Sequence, residues 1–194
     1  MSLASAFLLL FLVMDPLSNI PFFLAALAPV DPARHTRVVV RELLIAYGVM
    51  VAFLFAGRPV LAILGISGPA LTIAGGVILF LIAVRMVFPP PSGGMAETIE
   101  GEPFIVPLAI PYVAGPSLLA TELLLMNRDP TRWTLWLGAL TGAWLATALI
   151  LLAGSRLRAV LGNRGMIAIE RLMGMILVAI AVQMFLTGVA EYRL

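Results

Sequence analysis

The sequence contains no cysteine and no lysine, a single histidine, and charged side chains at only 11% of its 194 positions. Without cysteine there are no disulfides, no thiolate metal sites and no thiol redox centres. His35 stands alone in a charged loop and has no second histidine with which to build a metal site. All twelve cationic residues are Arg, scattered through short polar stretches, so the net charge of +2 leaves no electrostatic footprint for nucleic acid. There is no glycine-rich phosphate loop and no stretch polar enough for a soluble domain, which excludes ATP hydrolysis by this chain. No cofactor is expected beyond a coupling H+ or Na+.

Apolar residues are what the chain has in excess: 62% of positions, with a mean hydropathy of +1.10. That composition belongs to a polytopic membrane protein. At about 20 apolar residues per crossing, the length suits an all-α membrane protein of six transmembrane helices. Their expected ranges are 3–27, 42–64, 69–88, 103–126, 133–153 and 166–189. Ala26-Leu27-Ala28 mimics a cleavage site, but no basic segment precedes the first apolar run and the run is too long for a signal peptide. It is read as a retained first helix.

The polar stretches set the orientation. With the N-terminus outside, eight Arg (34, 37, 41, 85, 156, 158, 164 and 171) fall on the cytoplasmic side and four (58, 128, 132 and 193) outside. The positive-inside bias therefore favours N-out and C-out in the cell membrane. Trp133 and Trp136 are expected as an interfacial anchor. The methionines Met166, Met173, Met175 and Met184 read as core filler, and Gly138 with Gly142 as a close-packing stripe within the monomer. The sequence is also compatible with a homo-oligomer.

Two halves resemble each other. Ile82-Ala83-Val84-Arg85-Met86 matches Ile180-Ala181-Val182-Gln183-Met184, with Gly76 falling on Gly174 in the same register. Upstream, Leu64-Gly65 and Gly68 match Leu161-Gly162 and Gly165 with one residue slipped, and Pro16 and Pro21 match Pro111 and Pro116. These matches divide the chain into a first three-helix repeat (1–88), a cytoplasmic linker rich in Pro, Gly and Glu (89–102) and a second three-helix repeat (103–194). Because three is odd, the second repeat enters the membrane from the opposite side: the halves are inverted repeats.

The first and fourth spans are expected to be broken. Pro16 and Pro21 in one, Pro111 and Pro116 in the other, each remove a backbone donor and clash with the preceding turn. Lipid cannot hydrate the freed carbonyls, so both segments must face protein or a wet cavity. Broken helices at corresponding positions of inverted halves mark the central site of a secondary transporter. Pro116 suits the first helical position, leaving the N–H groups of Ser117, Leu118 and Leu119 free for a carboxylate; Pro21 is expected to do the same for Phe22, Phe23 and Leu24. Asp15 attracts an ammonium, a proton or a sodium ion. The candidate substrate residues are thus Asp15, Ser18, Asn19 and Phe22 on one side, and Tyr112, Ala114, Gly115, Ser117 and Leu118 on the other. Coupling falls to Asp15 and hinge motion to the four prolines. The plainer alternatives are that Asp15 caps the restarted helix, that Asn19 satisfies stray carbonyls, and that Arg85 and Glu122 reach towards the headgroups.

Asp15-Pro16-Leu17-Ser18-Asn19-Ile20-Pro21 resembles the Asp-Pro-x-Gly-Asn-x-Pro signature of the MarC family of bacterial and archaeal inner-membrane proteins. Pro107-Leu108-Ala109-Ile110-Pro111-Tyr112-Val113-Ala114-Gly115-Pro116 resembles its second signature, and Ile73-Ala74-Gly75-Gly76 with 82–86 its third-helix segment. The resemblance implies a six-helix protein of the neutral amino acid transporter kind, with glycine and alanine as substrates attested for one member. Ser18 departs from the family pattern by placing a hydroxymethyl group where Gly is usual.

Transport of small neutral amino acids is therefore the leading expectation, with export of other small metabolites as its runner-up. The rival from another class is an intramembrane enzyme using Asp15 with Glu122 or Glu170. Both glutamates lie near the ends of their spans while Asp15 lies mid-span, which argues against an acid/base pair and for a protein that is not an enzyme.

Overall fold

Residues that precede a proline are pushed out of the α region, and that rule shapes both broken spans. In the computed structural model, which describes residues 1–89 and 102–192, α1 (Leu3–Met14) ends at Asp15. There φ is 42° and ψ is 61°, a left-handed turn that aspartate tolerates better than most residues. The next helix, α2 (Pro16–Ala26), restarts at once with Pro16 in its first turn. In the fourth span Ile110, before Pro111, is extended at φ −130°, ψ 126° within a wide turn over Leu108–Val113. Gly115, before Pro116, is extended at φ −84°, ψ 161° and precedes α5 (Pro116–Arg128). The break expected at Pro21 does not occur. Pro21 lies inside α2, and the restart falls five residues earlier, at Pro16.

The remaining helices are long. A short turn over Pro32–Arg34, capped by the Asp31 carboxylate on the Ala33 N–H at 2.9 Å, leads into α3 (His35–Ile63). Arg37 and Arg41 are therefore helical rather than in a loop. Ser67 caps α4 (Gly68–Val87), with Pro69 in its first turn. Another short turn, Pro130–Arg132, leads into α6 (Trp133–Leu152). The last helix, α7 (Gly154–Tyr192), begins well before the expected position 166 and is interrupted at Gly162, where φ is 65°. Gly65, between α3 and α4, has the matching φ of 67°. The sequence match of these two glycines thus marks two left-handed turns that residues with a Cβ avoid.

Among the described residues, five helical segments are long and apolar enough to cross a membrane: Leu3–Ala26, Pro32–Ile63, Gly68–Val87, Pro130–Leu152 and Gly154–Tyr192. The chain is an all-helical membrane protein. The fourth expected span is not a sixth such helix, because α5 has 13 residues and so reaches about 20 Å, short of the ~30 Å hydrocarbon core. The linker expected over 89–102 lies outside the described residues apart from its two ends.

Glycines set the closest helix contacts. Across α4 and α7, a Cβ on Gly76 would stand 2.9 Å from the Ala181 carbonyl and 3.0 Å from the Phe185 nitrogen. One on Gly174 would stand 2.9 Å from Met86 Cβ and 3.0 Å from the Ala83 carbonyl. Gly142 of α6 takes the Phe7 ring of α1, and Gly138 takes Leu3, so this stripe packs within the monomer. The core runs through Ala6, Leu10, Leu43, Met50, Leu108, Leu118 and Trp136.

Trp133 is exposed as an anchor should be. Trp136 is not: it is buried and donates from Nε1 to the Asp129 carbonyl at 2.8 Å, closing the α5–α6 turn. Met166, Met173 and Met184 are core residues, whereas Met175 is exposed on the outer face of α7.

Candidate functional site

The two broken spans meet in the protein interior, and Asn19 is the residue that joins them. Its Nδ2 donates to the Met14 carbonyl at 2.9 Å and to the Tyr112 carbonyl at 3.0 Å. One acceptor belongs to each break, so a single amide is bonded to both. Phe22, one turn along α2, stacks on the Tyr112 ring with centroids 5.1 Å apart and planes 28° apart. Asn19 therefore binds a carbonyl from each break, and in doing so it fixes the two breaks against each other.

Asp15 has two backbone duties. It ends α1 through its N–H, which donates to the Phe11 carbonyl at 3.1 Å, and it caps α2 by accepting the Ser18 N–H at 3.5 Å. The capping geometry is long, and the carboxylate is buried at 6% exposure. Ser18 is equally buried, and its Oγ has no hydrogen-bond partner. This hydroxyl, absent from the usual family pattern, is an unspent donor and acceptor beside the break.

On the opposite wall Ala114, Gly115, Ser117 and Leu118 are all buried. Leu119 donates to the Gly115 carbonyl at 3.1 Å, so its N–H is not free. The N–H groups without an acceptor in their own helix are those of Ser117 and Leu118. On the first wall the corresponding helix start is Pro16, and the N–H groups of Phe22, Phe23 and Leu24 lie within α2. Of the four hinge candidates, Pro16 is buried, Pro21 is half-buried, and Pro111 and Pro116 are exposed.

This arrangement is closed. Asp15, Ser18, Asn19 and Ser117 are each exposed by less than a tenth, and the stacked rings of Phe22 and Tyr112 lie beside them. Two apolar surface grooves, one at Leu149 and Val160 and one at Phe80 and Phe185, touch neither break. Among the described residues no group of three or more His, Cys, Asp or Glu is placed to hold a metal ion.

Two carboxylates carry more than their sequence positions indicate. Glu122 does not reach the headgroups: it is fully buried and neither carboxylate oxygen has a hydrogen-bond partner. Glu42 is also fully buried, but it is paired. It accepts Arg41 at 2.8–2.9 Å and the backbone N–H of Ile105 at 2.8 Å. Arg41 continues to Glu102 at 2.8 Å and to the Pro103 carbonyl, and Arg34 reaches Glu102 at 2.9 Å. This clasp ties the start of the fourth span to the start of α3, and it holds Ile105 at a positive φ of 64°. The adjacent Arg41-Glu42 pair was its one sign in the sequence. Neither oxygen of Glu122 has a hydrogen-bond partner, so Asp15 and Glu122 are not joined by a hydrogen bond.

The profile of the MarC family of integral membrane proteins matches residues 1–192. The UPF0056 inner membrane protein YhgN of Escherichia coli K12 is 50% identical over 186 residues, covering 95% of this chain and 94% of that protein. A UPF0056 membrane protein of Buchnera aphidicola from Schizaphis graminum is 46% identical over 188 residues, with 97% and 96% covered. A Chlamydia pneumoniae relative is 32% identical over 184 residues, with 94% and 91% covered. No solved structure matches. With two broken spans joined at Asn19, helices fit to cross a bilayer and a family match along nearly its whole length, this chain belongs to the MarC family of multi-pass integral membrane proteins.

Proposed function

We propose that this protein is a secondary transporter of small neutral amino acids, of the size of glycine or alanine, working by alternating access at a site between the first and fourth spans. The observation that carries the reading is the buried meeting of two helix breaks through Asn19. Interrupted helices are tolerated at membrane depth where they line a binding site. The N–H groups of Ser117 and Leu118 suit a carboxylate, while Asp15 suits an ammonium and is the first candidate for coupling to H+ or Na+. The Ser18 hydroxyl is an additional ligand within the same break. The closed arrangement is then the occluded state, from which one half tilts to admit water from either side.

A two-fold relation between the halves supports this reading. Gly76 packs on Ala181, Met184 and Phe185, and Gly174 packs on Ala83, Met86 and Val87. Each residue lies 98 positions from its counterpart (76 to 174, 83 to 181, 86 to 184), so the contact is the same patch used twice, as two-fold symmetry requires. The other packings exchange likewise: α1 on α6 answers α5 on α3, and α4 on α5 answers α7 on α2. We read the segment from Pro103 through α5 as the sixth crossing, antiparallel to the first. The termini are assigned outside, with the clasp of Arg34, Arg41 and Glu102 on the cytoplasmic side.

The test is uptake of radiolabelled glycine and alanine into proteoliposomes, with and without a proton or sodium gradient. Saturable, gradient-dependent uptake is expected. Absence of saturable uptake of any small neutral amino acid would remove the reading.

A further inference from the structure

Glu122 is used by nothing described so far. It lies on α5, the helix that restarts at the second break, six residues beyond Pro116 or about 9 Å along the axis. It is fully buried between Leu118 and Leu125, residues one turn to either side that are themselves at 1% exposure. Neither Oε1 nor Oε2 has a hydrogen-bond partner. An ionised carboxylate so placed has lost its water and gained nothing in exchange.

The charges that would balance it are elsewhere. The helices packed on α5 are α1, α3, α4 and α6, and the short turn Pro130–Arg132 packs there too, its Arg132 donating to the Met1 carbonyl. Of these, α1 and α6 carry no titratable side chain, α3 carries His35, Arg37, Arg41, Glu42, Tyr47 and Arg58, and α4 carries Arg85. Among the described residues none forms an ion pair with Glu122, and Arg41 is committed to Glu42 and Glu102. Thr121, its neighbour on α5, turns its hydroxyl to the Ser117 carbonyl and Met184. A metal cation needs several ligands converging on it, and among the described residues no group of three or more His, Cys, Asp or Glu does so. A proton needs only the carboxylate.

We infer that Glu122 is a proton-binding site: it holds a proton in the closed state and releases it when movement of α5 at the Gly115–Pro116 break opens it to water. This identifies the coupling ion as H+ and adds a second titrating group to Asp15; its transport arm rests on the function proposed above, while its protonation does not.

The experiment has two arms on the full-length protein in liposomes. In infrared spectra, wild type is expected to show a protonated carboxylic C=O band that E122Q lacks and D15N retains. In transport, E122Q is expected to keep glycine exchange within about twofold of wild type but to lose accumulation driven by a pH gradient at least tenfold. E122D, which keeps a titratable group, is expected to restore part of that accumulation. Should E122Q not assemble, E122M, which fills the same space without a polar group, takes its place in both arms. Identical infrared bands in wild type and E122Q would overturn the inference. So would wild-type accumulation by E122Q, or accumulation that follows a sodium gradient alone. If wild-type protein transports no amino acid yet shows the band, the transport function fails and the proton site stands.

Discussion

The side-chain amide of Asn19 donates to the Tyr112 carbonyl at 3.0 Å while donating to the Met14 carbonyl at 2.9 Å. One residue thus ties together two helix breaks, the second through a carbonyl 93 positions from Asn19 in the chain. Asn19→Ala removes both hydrogen bonds, at about 0.5–1.5 kcal/mol each. A lowered melting temperature in detergent, together with loss of uptake, is the expected outcome. Asn19→Asp is expected to fail in the same way, because a carboxylate has no N–H to donate.

Asp15 combines a cap with a charge, and two substitutions separate them. Asparagine caps helices as well as aspartate and tolerates the left-handed backbone at this position. D15N is expected to keep the wild-type melting temperature while weakening substrate binding about ten- to a hundredfold, the loss of a charge-assisted hydrogen bond of roughly 1.5–3 kcal/mol. D15A loses the cap and strains the turn, so it is expected to cost about 2–3 kcal/mol of stability besides.

The α4–α7 contact makes an unusual demand: equivalent substitutions should have equal effects. G76A presses a methyl group on the Ala181 carbonyl and the Phe185 nitrogen, and G174A presses one on Met86 Cβ and the Ala83 carbonyl. Neither backbone can yield without separating the helices. Each substitution is expected to destabilise by about 1–3 kcal/mol, with the two values within about 1 kcal/mol of each other. Thermal unfolding of the two variants side by side measures this.

In the clasp, Arg34 and Arg41 reach the same Glu102 but differ in consequence. Arg34 is 58% exposed, so R34A removes a pair worth ~0–1 kcal/mol. R41A strips the cation from Glu42, which is fully buried, and is expected to cost about 3 kcal/mol or more. The same variant frees residues 102–105, and faster proteolysis there is the second readout.

Much of this arrangement was legible because proline has local consequences. The breaks at Asp15 and at Gly115 followed from the residues ahead of Pro16 and Pro116. The register of Gly76 with Gly174 and of Gly65 with Gly162 was visible as repeated sequence. What was not legible depends on tertiary neighbours. Pro21 was expected to open the helix, but the preceding turn already breaks at Asp15, and α2 continues through Pro21. The plainer alternative for Glu122, reach to the headgroups, came from its place near the span's end, yet the residue is fully buried. Trp136 is buried because its indole closes the turn into α6 on the Asp129 carbonyl, whereas Met175, in the body of α7, is exposed. The Asn19–Tyr112 bond joins two distant segments, and no local pattern announces it.

The most direct measurement of the central claim uses the absence of cysteine, which makes S18C the sole thiol in the chain. Ser18 is 5% exposed in the closed state. If the two breaks part to admit a small amino acid, a membrane-impermeant thiol reagent will label S18C in liposomes, and saturating glycine or alanine will slow that labelling several-fold. Labelling that never occurs from either side, or that proceeds at the same rate whatever amino acid is present, would contradict a binding site at the junction of these two spans.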